Sequence, residues 1–150
     1  MRRKIVLLAA PPALCWAARM VCMRLDIGLA ALNAPPGMPA RPVFWAAWAP
    51  VFLMPGIAGF LTLGSGDARR YGAMRLLACA LALYNLWPLP AAGRLWLNMS
   101  SLIGFAAVAA SLLCARRFRR IDRRAGLCMA VFSAWAVFEL YLTVGFAVLN

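Results

Sequence analysis

Long apolar segments alternate with short polar connections along the 150 residues of this chain. Five segments carry almost no charge; they cover residues 5–23, 43–63, 74–92, 95–115 and 125–149. At 19 to 25 residues each, they match the roughly 20 residues that a helix needs to cross about 30 Å of hydrocarbon. A helix satisfies its own backbone hydrogen bonds in lipid, and the period-2 alternation of a membrane β-barrel is absent. The pattern predicts an all-α membrane protein, with residues 1–150 forming a single domain.

Basic residues are concentrated in alternate connections. Twelve of the sixteen lie in three clusters: Arg2, Arg3 and Lys4; Arg69, Arg70 and Arg75; and Arg116, Arg117, Arg119, Arg120, Arg123 and Arg124. The other connections carry only Arg24, Arg41 and Arg94. Because cytoplasmic loops collect Lys and Arg, this split predicts an antiparallel bundle of five transmembrane helices. The N-terminus is expected in the cytoplasm and Asn150 on the opposite side.

The first and second segments are separated by a long connection. Residues 24–42 are too rich in proline for a continuous helix, so a loop is predicted there. The first segment, which follows Arg2, Arg3 and Lys4, also has features of a secretory signal peptide. Pro11 and Pro12 within its apolar core, and the lack of a clean cleavage site, favour a membrane helix instead.

Composition narrows the class of protein further. The chain is 65% hydrophobic, whereas soluble domains are about 45–50% apolar. Its net charge of +12 lies in connections beside apolar segments, which indicates contact with anionic lipid headgroups and not with nucleic acid. The chain has no histidine, and neither a metal-binding spacing nor a catalytic grouping is recognisable. No metal, obligatory cofactor or catalytic residue is predicted, and an enzyme is not the favoured class.

Aromatic residues recur on one face of three of the predicted helices. The sets are Trp45, Trp48, Phe52 and Gly59; Tyr84 and Trp87, with Asn85 beside them; and Phe132, Trp135, Glu139, Leu142 and Phe146. A single stripe of this kind usually packs in a core. Three stripes in one small bundle favour an aromatic-lined pocket for a flat, apolar ligand.

Glu139 is the one acidic residue inside a predicted span. A carboxyl group is costly in the membrane, so Glu139 is expected to face the bundle interior. Two interpretations remain open. Glu139 is either a structural group, hydrogen-bonded to a neighbouring helix through Tyr84 or Asn85, or the proton-carrying residue of a small proton-coupled transporter.

Small residues mark a surface for close helix packing. Gly104, Ala107, Ser111 and Ala115 follow one another at spacings of three or four residues, and Ala78 and Ala82 lie four residues apart on the third segment. Such spacing lets helices approach closely, either within the chain or between two copies.

From about residue 42 onward the chain resembles the translocator protein family, also called tryptophan-rich sensory protein (TspO/MBR). The motifs that carry the resemblance are Trp48, Phe52 and Leu53-Met54; Leu81-Ala82-Leu83-Tyr84-Asn85-Leu86-Trp87-Pro88 with Gly93; Asp122 to Leu127; and Val131-Phe132-Ser133-Ala134-Trp135, Phe138 and Tyr141-Leu142-Thr143. Each motif is loose, but all occur in the family's order and spacing.

The resemblance implies a five-helix bundle, often a homodimer, that binds tetrapyrroles such as porphyrin. The pocket residues that it implies are Trp48, Phe52, Trp87, Phe132, Trp135 and Phe138, with residues 24–42 as the lid. Asn85 and Glu139 complete the predicted ligand site. We expect a sensor, carrier or regulator in a bacterial cell membrane.

Three departures from the family pattern concern the last segment. Val131 replaces a proline, Thr143 replaces an asparagine, and Glu139 stands where a small uncharged residue is usual. No basic residue follows Tyr141 as the sterol-contact pattern of the animal members requires. These departures predict a diverged ligand specificity and no sterol binding.

Overall fold

The computed structural model describes residues 32–92 and 96–150, together with Ala13 and Ala17. These residues form helices and no strand: α1 (Arg41–Gly64), α2 (Arg70–Leu86), the single turn α3 (Leu89–Ala92), α4 (Leu97–Arg119) and α5 (Arg123–Leu149). The predicted all-α class is confirmed for this part of the chain. Apart from the two alanines, the predicted first span lies outside the described residues, so the count of five membrane helices stays a prediction.

Three of these helices are long and apolar enough to cross a membrane. They are α1, over Pro42–Gly64, and α4 and α5 over their whole lengths, with 23, 23 and 27 residues. Helix α2 has 17 residues, which at 1.5 Å per residue gives it a length of about 26 Å. The predicted segments 43–63, 95–115 and 125–149 therefore correspond to α1, α4 and α5.

The predicted segment 74–92 is divided in the structure. Helix α2 ends at Leu86, and the one-turn helix α3 begins at Leu89. Pro88 has no backbone N–H, and Pro90 follows two residues later, so the helical hydrogen bonds cannot continue unchanged. In contrast, Pro50 and Pro55 lie inside α1 without ending it, as is tolerated in membrane helices.

Hydrogen bonds at both ends of the bundle show that the long helices run antiparallel. At one end, Arg69 Nη2 donates to the backbone oxygen of Arg120 at 3.2 Å, which joins the α1–α2 turn to the α4–α5 turn. We call this end, residues 65–75 and 116–124, the basic end, because it holds nine arginines. At the other end, Asn33 N donates to Oδ1 of Asn150 at 2.8 Å, and Nδ2 of Asn150 donates to the oxygen of Asn33 at 3.1 Å.

The tight α4–α5 connection depends on Asp122 and Gly126. The Asp122 carboxylate accepts hydrogen bonds from the backbone N–H groups of Arg124 (2.7 Å) and Ala125 (3.3 Å), which caps the start of α5. A Cβ on Gly126 would lie 2.5 Å from Cβ of Arg119. Glycine at this position therefore allows the two helices to approach closely.

The small-residue face of α4 packs inside the chain. Gly104, Ala107 and Ser111 are buried, and Ala115 is half-buried. A Cβ on Gly104 would lie 2.6 Å from Cε2 of Trp87, so the glycine makes room for the indole ring. Gly104, Ala107 and Ser111 therefore pack within the chain, whereas Ala78 and Ala82 on α2 are exposed, so packing of α2 against a second copy stays a prediction.

Candidate functional site

A continuous series of aromatic rings connects α1, α2, α5 and the α2–α3 turn. We call this series the aromatic cluster: Phe44, Trp48, Phe52, Tyr84, Trp87, Phe132, Trp135 and Phe138. Neighbouring ring centroids are 5.0 to 6.0 Å apart along the contacts Phe138–Trp135–Phe44–Trp48–Phe52–Tyr84, from which Tyr84 reaches both Phe132 and Trp87. Aromatic pairs attract each other at such distances and in tilted or edge-to-face arrangements.

The aromatic cluster has a closed interior and a more accessible edge. In the interior, Phe52 and Phe132 are fully buried, Tyr84 is 1% exposed, and Trp48 and Trp87 are each 2% exposed. At the edge, Phe44, Trp135 and Phe138 are half-buried. An incoming molecule would therefore meet the edge rings first.

Local sequence places the rings of α1 on one helix face. Phe44, Trp48 and Phe52 are four residues apart, so they stack along the same side of α1. Trp87 is held differently, because Oγ of the buried Ser100 donates a hydrogen bond to its backbone oxygen at 2.8 Å. That bond and the space left by Gly104 fix the indole against α4.

Glu139 lies inside the aromatic cluster and is 5% exposed. Its Oε2 accepts a hydrogen bond from the Tyr84 hydroxyl, and its Oε1 accepts one from Trp135 Nε1 at 3.0 Å. A buried carboxyl group is costly unless donors satisfy its oxygens. The hydrogen bond to a neighbouring helix, which belongs to one of the two interpretations left open for Glu139, is present, and Tyr84 provides it.

The structure brings together seven of the eight predicted site residues. They are Trp48, Phe52, Trp87, Phe132, Trp135, Phe138 and Glu139. Asn85, the eighth, is half-buried on α2, and its Nδ2 donates to the backbone oxygen of Leu81 at 2.8 Å. Whether these side chains bind a ligand stays a prediction.

Sequence reasoning did not include Phe44 and Tyr84 among the site residues. Phe44 precedes Trp48 by four residues, so the regular four-residue spacing of Phe44, Trp48 and Phe52 would have found it. The sequence pattern places Tyr84 in a stripe with Trp87 and as a possible hydrogen-bond partner of Glu139, but not among the predicted site residues. In the structure it is also the central ring, in contact with Phe52, Trp87 and Phe132.

The described part of the predicted lid packs on the last turns of α5. Tyr141 OH donates to the backbone oxygen of Pro36 at 2.9 Å. Pro35 is buried, and a Cβ on Gly145 would lie 2.6 Å from its Cβ. Residues 32–40 thus lie against α5 and lead directly into α1, whose first turn carries Phe44. Their role as a lid stays a prediction.

The site is apolar apart from a buried carboxyl group and its hydrogen bonds. Among the described residues, no three His, Cys, Asp or Glu side chains lie close enough to share a metal ion. The chemistry that the site offers is ring stacking, together with the buried Glu139 carboxyl group, to which Tyr84 and Trp135 donate.

The long helices run antiparallel, are apolar enough for a membrane and surround an aromatic interior. These features define an integral membrane protein whose core is lined by aromatic side chains. The model of the TspO/MBR family matches residues 7–149, which is nearly the whole chain. The chain therefore belongs to the TspO/MBR family, as the sequence motifs predicted. None of the curated proteins matches it.

Proposed function

We propose that this protein binds a flat, apolar ligand of the tetrapyrrole class in its aromatic cluster and acts as a sensor, carrier or regulator. The observation that supports this most directly is the aromatic cluster itself, whose eight rings from separate elements share one buried site. Membership of the TspO/MBR family supports the same ligand class, because tetrapyrrole binding is what the sequence resemblance implied.

The ligand would enter at the edge of the aromatic cluster. Phe44, Trp135 and Phe138 are half-buried, so their ring faces can exchange contacts with each other for contacts with a ligand. Residues 32–40, which lead into α1, would close over the bound molecule. A ligand with N–H groups would compete with Trp135 for the Glu139 carboxyl group, which gives Glu139 a role in selecting the ligand.

The membrane arrangement that goes with this proposal has five crossings. Residues 5–23 would supply the first crossing and α2 with α3 the third, with the basic end in the cytoplasm of a bacterial cell. Lipid and a second copy of the chain would be its partners.

A titration of the purified protein with protoporphyrin in detergent tests the ligand proposal. Binding is followed by the absorbance of the porphyrin, so that removal of a tryptophan does not remove the signal. We expect saturable binding, weakened roughly tenfold in Trp135→Ala through loss of ring contacts. Glu139→Gln is expected to keep the fold and to change the affinity or its pH dependence.

Trp96→Ala is the matched control, because Trp96 is 68% exposed and lies outside the aromatic cluster. It should change the affinity less than about twofold, as is usual for an exposed side chain that does not belong to the site. Lack of saturable porphyrin binding by the parent protein would contradict the proposal. Solute flux driven by a pH gradient in proteoliposomes, if lost in Glu139→Gln, would favour proton-coupled transport instead.

A further inference from the structure

A cleft of about 240 Å³ opens at the basic end, between the start of α2 and the α4–α5 turn. It is lined by Arg69, Ala73, Arg117, Arg120 and Ile121. Its volume is several times the roughly 30 Å³ that a water molecule occupies in the liquid. The cleft can therefore hold a small molecular group beside three arginines.

The positive charge of the cleft is only partly compensated. Asp67 forms a bidentate ion pair with Arg69, with the closest contact at 2.7 Å between Nη2 and Oδ2. Within the described ranges, neither Arg117 nor Arg120 has an acidic partner. The other carboxylate of the basic end, that of Asp122, caps α5. Like charges held this close repel each other, and an anion between them would offset the repulsion.

Contacts with the backbone hold the cleft in shape. Arg69 Nη2 donates to the oxygen of Arg120 across the cleft at 3.2 Å. The turn itself is fixed by hydrogen bonds from Ile121 N (3.0 Å) and Asp122 N (2.8 Å) to the oxygen of Phe118. Nη1 of Arg117 lies 3.9 Å from the position that a Cβ on Gly72 would occupy, so this guanidinium rests against the first turn of α2.

We propose that this cleft is a binding site for a phosphate group, with Arg117 and Arg120 as its ligands and Arg69 shared between the anion and Asp67. Guanidinium groups bind phosphate oxygens through two parallel N–H···O bonds, which makes arginine well suited to such a site. Ala73 and Ile121 provide apolar walls beside the charged groups. This proposal is independent of the aromatic cluster.

The phosphate can come from two sources with the same chemistry. The basic end lies where α4 and α5 leave their apolar segments, which is the level of lipid headgroups, so an anionic phospholipid can present its phosphate there. A soluble phosphate can reach the same exposed arginines. The experiment therefore has one arm for each source.

The test is isothermal titration calorimetry of the full chain in an uncharged detergent at about 0.1 M salt. One arm uses short-chain phosphatidylglycerol and the other inorganic phosphate. We expect saturable binding in at least one arm, weakened roughly tenfold or more by Arg117→Gln and by Arg120→Gln. Asp67→Asn should tighten binding severalfold, because it frees Arg69 from its carboxylate.

Arg75→Gln and Arg123→Gln are matched controls that remove the same charge from exposed positions that do not line the cleft. Each should weaken binding less than about threefold, because neither residue lines the cleft and the remaining charge interaction through solvent is reduced by salt. Arg117→Lys keeps the positive charge but loses the paired N–H donors of the guanidinium group. Its affinity for the phosphate group should lie between those of the parent and of Arg117→Gln. Helical content measured by circular dichroism confirms that each variant is folded.

Three results would overturn the proposal: no saturable binding in either arm, equal weakening by Arg75→Gln and Arg117→Gln, or weaker binding in Asp67→Asn. Equal weakening would mean that the anion responds to the overall charge and not to the cleft. Binding of inorganic phosphate without phosphatidylglycerol would identify a soluble phosphate as the source. Binding of phosphatidylglycerol would identify the lipid headgroup.

Discussion

The aromatic cluster and the basic end use their side chains in opposite ways. In the aromatic cluster the rings contact one another and the single carboxyl group, Glu139, is hydrogen-bonded within the bundle. At the basic end nine arginines face two aspartates, and both aspartates are already engaged. The first region stabilises the fold through packing, and the second carries charge that its own residues do not compensate. Substitutions should therefore affect stability strongly in the aromatic cluster and weakly at the basic end.

The largest effect is expected for Phe132→Ala. Phe132 is fully buried against Tyr84, and its removal leaves a cavity that the rigid neighbouring rings cannot fill. We expect a loss of about 3 kcal/mol in the free energy of unfolding, at the low end for such substitutions because the unfolded segments remain in lipid. Denaturation of the parent and the variant in mixed micelles measures this loss.

Phe105→Ala is the control for that cavity, since Phe105 is 58% exposed on α4. Its effect should stay within about 0.5 kcal/mol. Equal effects of the two substitutions would mean that the aromatic cluster is not tightly packed.

Gly104→Ala should be the next most disruptive change. The new Cβ would lie 2.6 Å from Cε2 of Trp87 and 2.9 Å from Cδ1 of Leu140. A rigid indole cannot move aside easily, so we expect a loss of about 2 kcal/mol from overpacking. Gly64→Ala, whose Cβ would meet nothing within 4 Å, should leave the unfolding midpoint nearly unchanged. If Gly104→Ala leaves the unfolding midpoint as unchanged as Gly64→Ala does, Trp87 does not pack closely against α4.

Tyr84→Phe isolates the hydrogen bond to Glu139 from the ring contacts. It keeps the aromatic ring but removes the donor to Oε2, and we expect a loss of about 1.5 kcal/mol. Combining it with Glu139→Gln in a double-mutant cycle gives the coupling energy of the pair. Additive effects would show that the two side chains do not interact.

The smallest effect concerns the pH dependence of the Asp67–Arg69 ion pair. Hydrogen bonds from Arg69 lower the pKa of Asp67 from 3.8 to about 2. Because the folded pKa is depressed, the stabilisation is fully present above pH 3.8 and is lost as the pH falls towards 2. The difference in unfolding midpoint between the parent and Asp67→Asn should thus be constant from pH 7 to pH 5 and shrink below pH 4. A difference that already changes near pH 6 would contradict this assignment.

Much of the fold followed from local patterns in the sequence. The segments 43–63, 95–115 and 125–149 match α1, α4 and α5, because apolar length is a strong signal for membrane helices. Helical spacing also predicted which side chains face the interior. The buried residues include Trp48 and Phe52 on α1, and Phe132 and Glu139 on α5.

The contacts that depend on how the helices are rotated towards each other could not be predicted from the sequence. Tyr84 and Asn85 point about 100° apart on α2, so choosing the partner of Glu139 requires the rotation of that helix. Trp87 packs against Gly104 through a contact between separate elements that no local pattern encodes. Pro88 indicates a break after Leu86, but the apolar run continues through residue 92 and so predicted one uninterrupted helix.

The shortness of α2 has a consequence for the surrounding bilayer. At about 26 Å, α2 alone falls short of a hydrocarbon core of about 30 Å, so a third crossing depends on the single turn α3 beyond Pro88 to cover the remaining depth. A bilayer that thins beside α2 would remove this dependence on α3, but thinning a thick bilayer has an energetic cost. We therefore expect the protein to be more stable against thermal unfolding in bilayers with short acyl chains than in bilayers with long ones, and a chain-length series in proteoliposomes would reveal it.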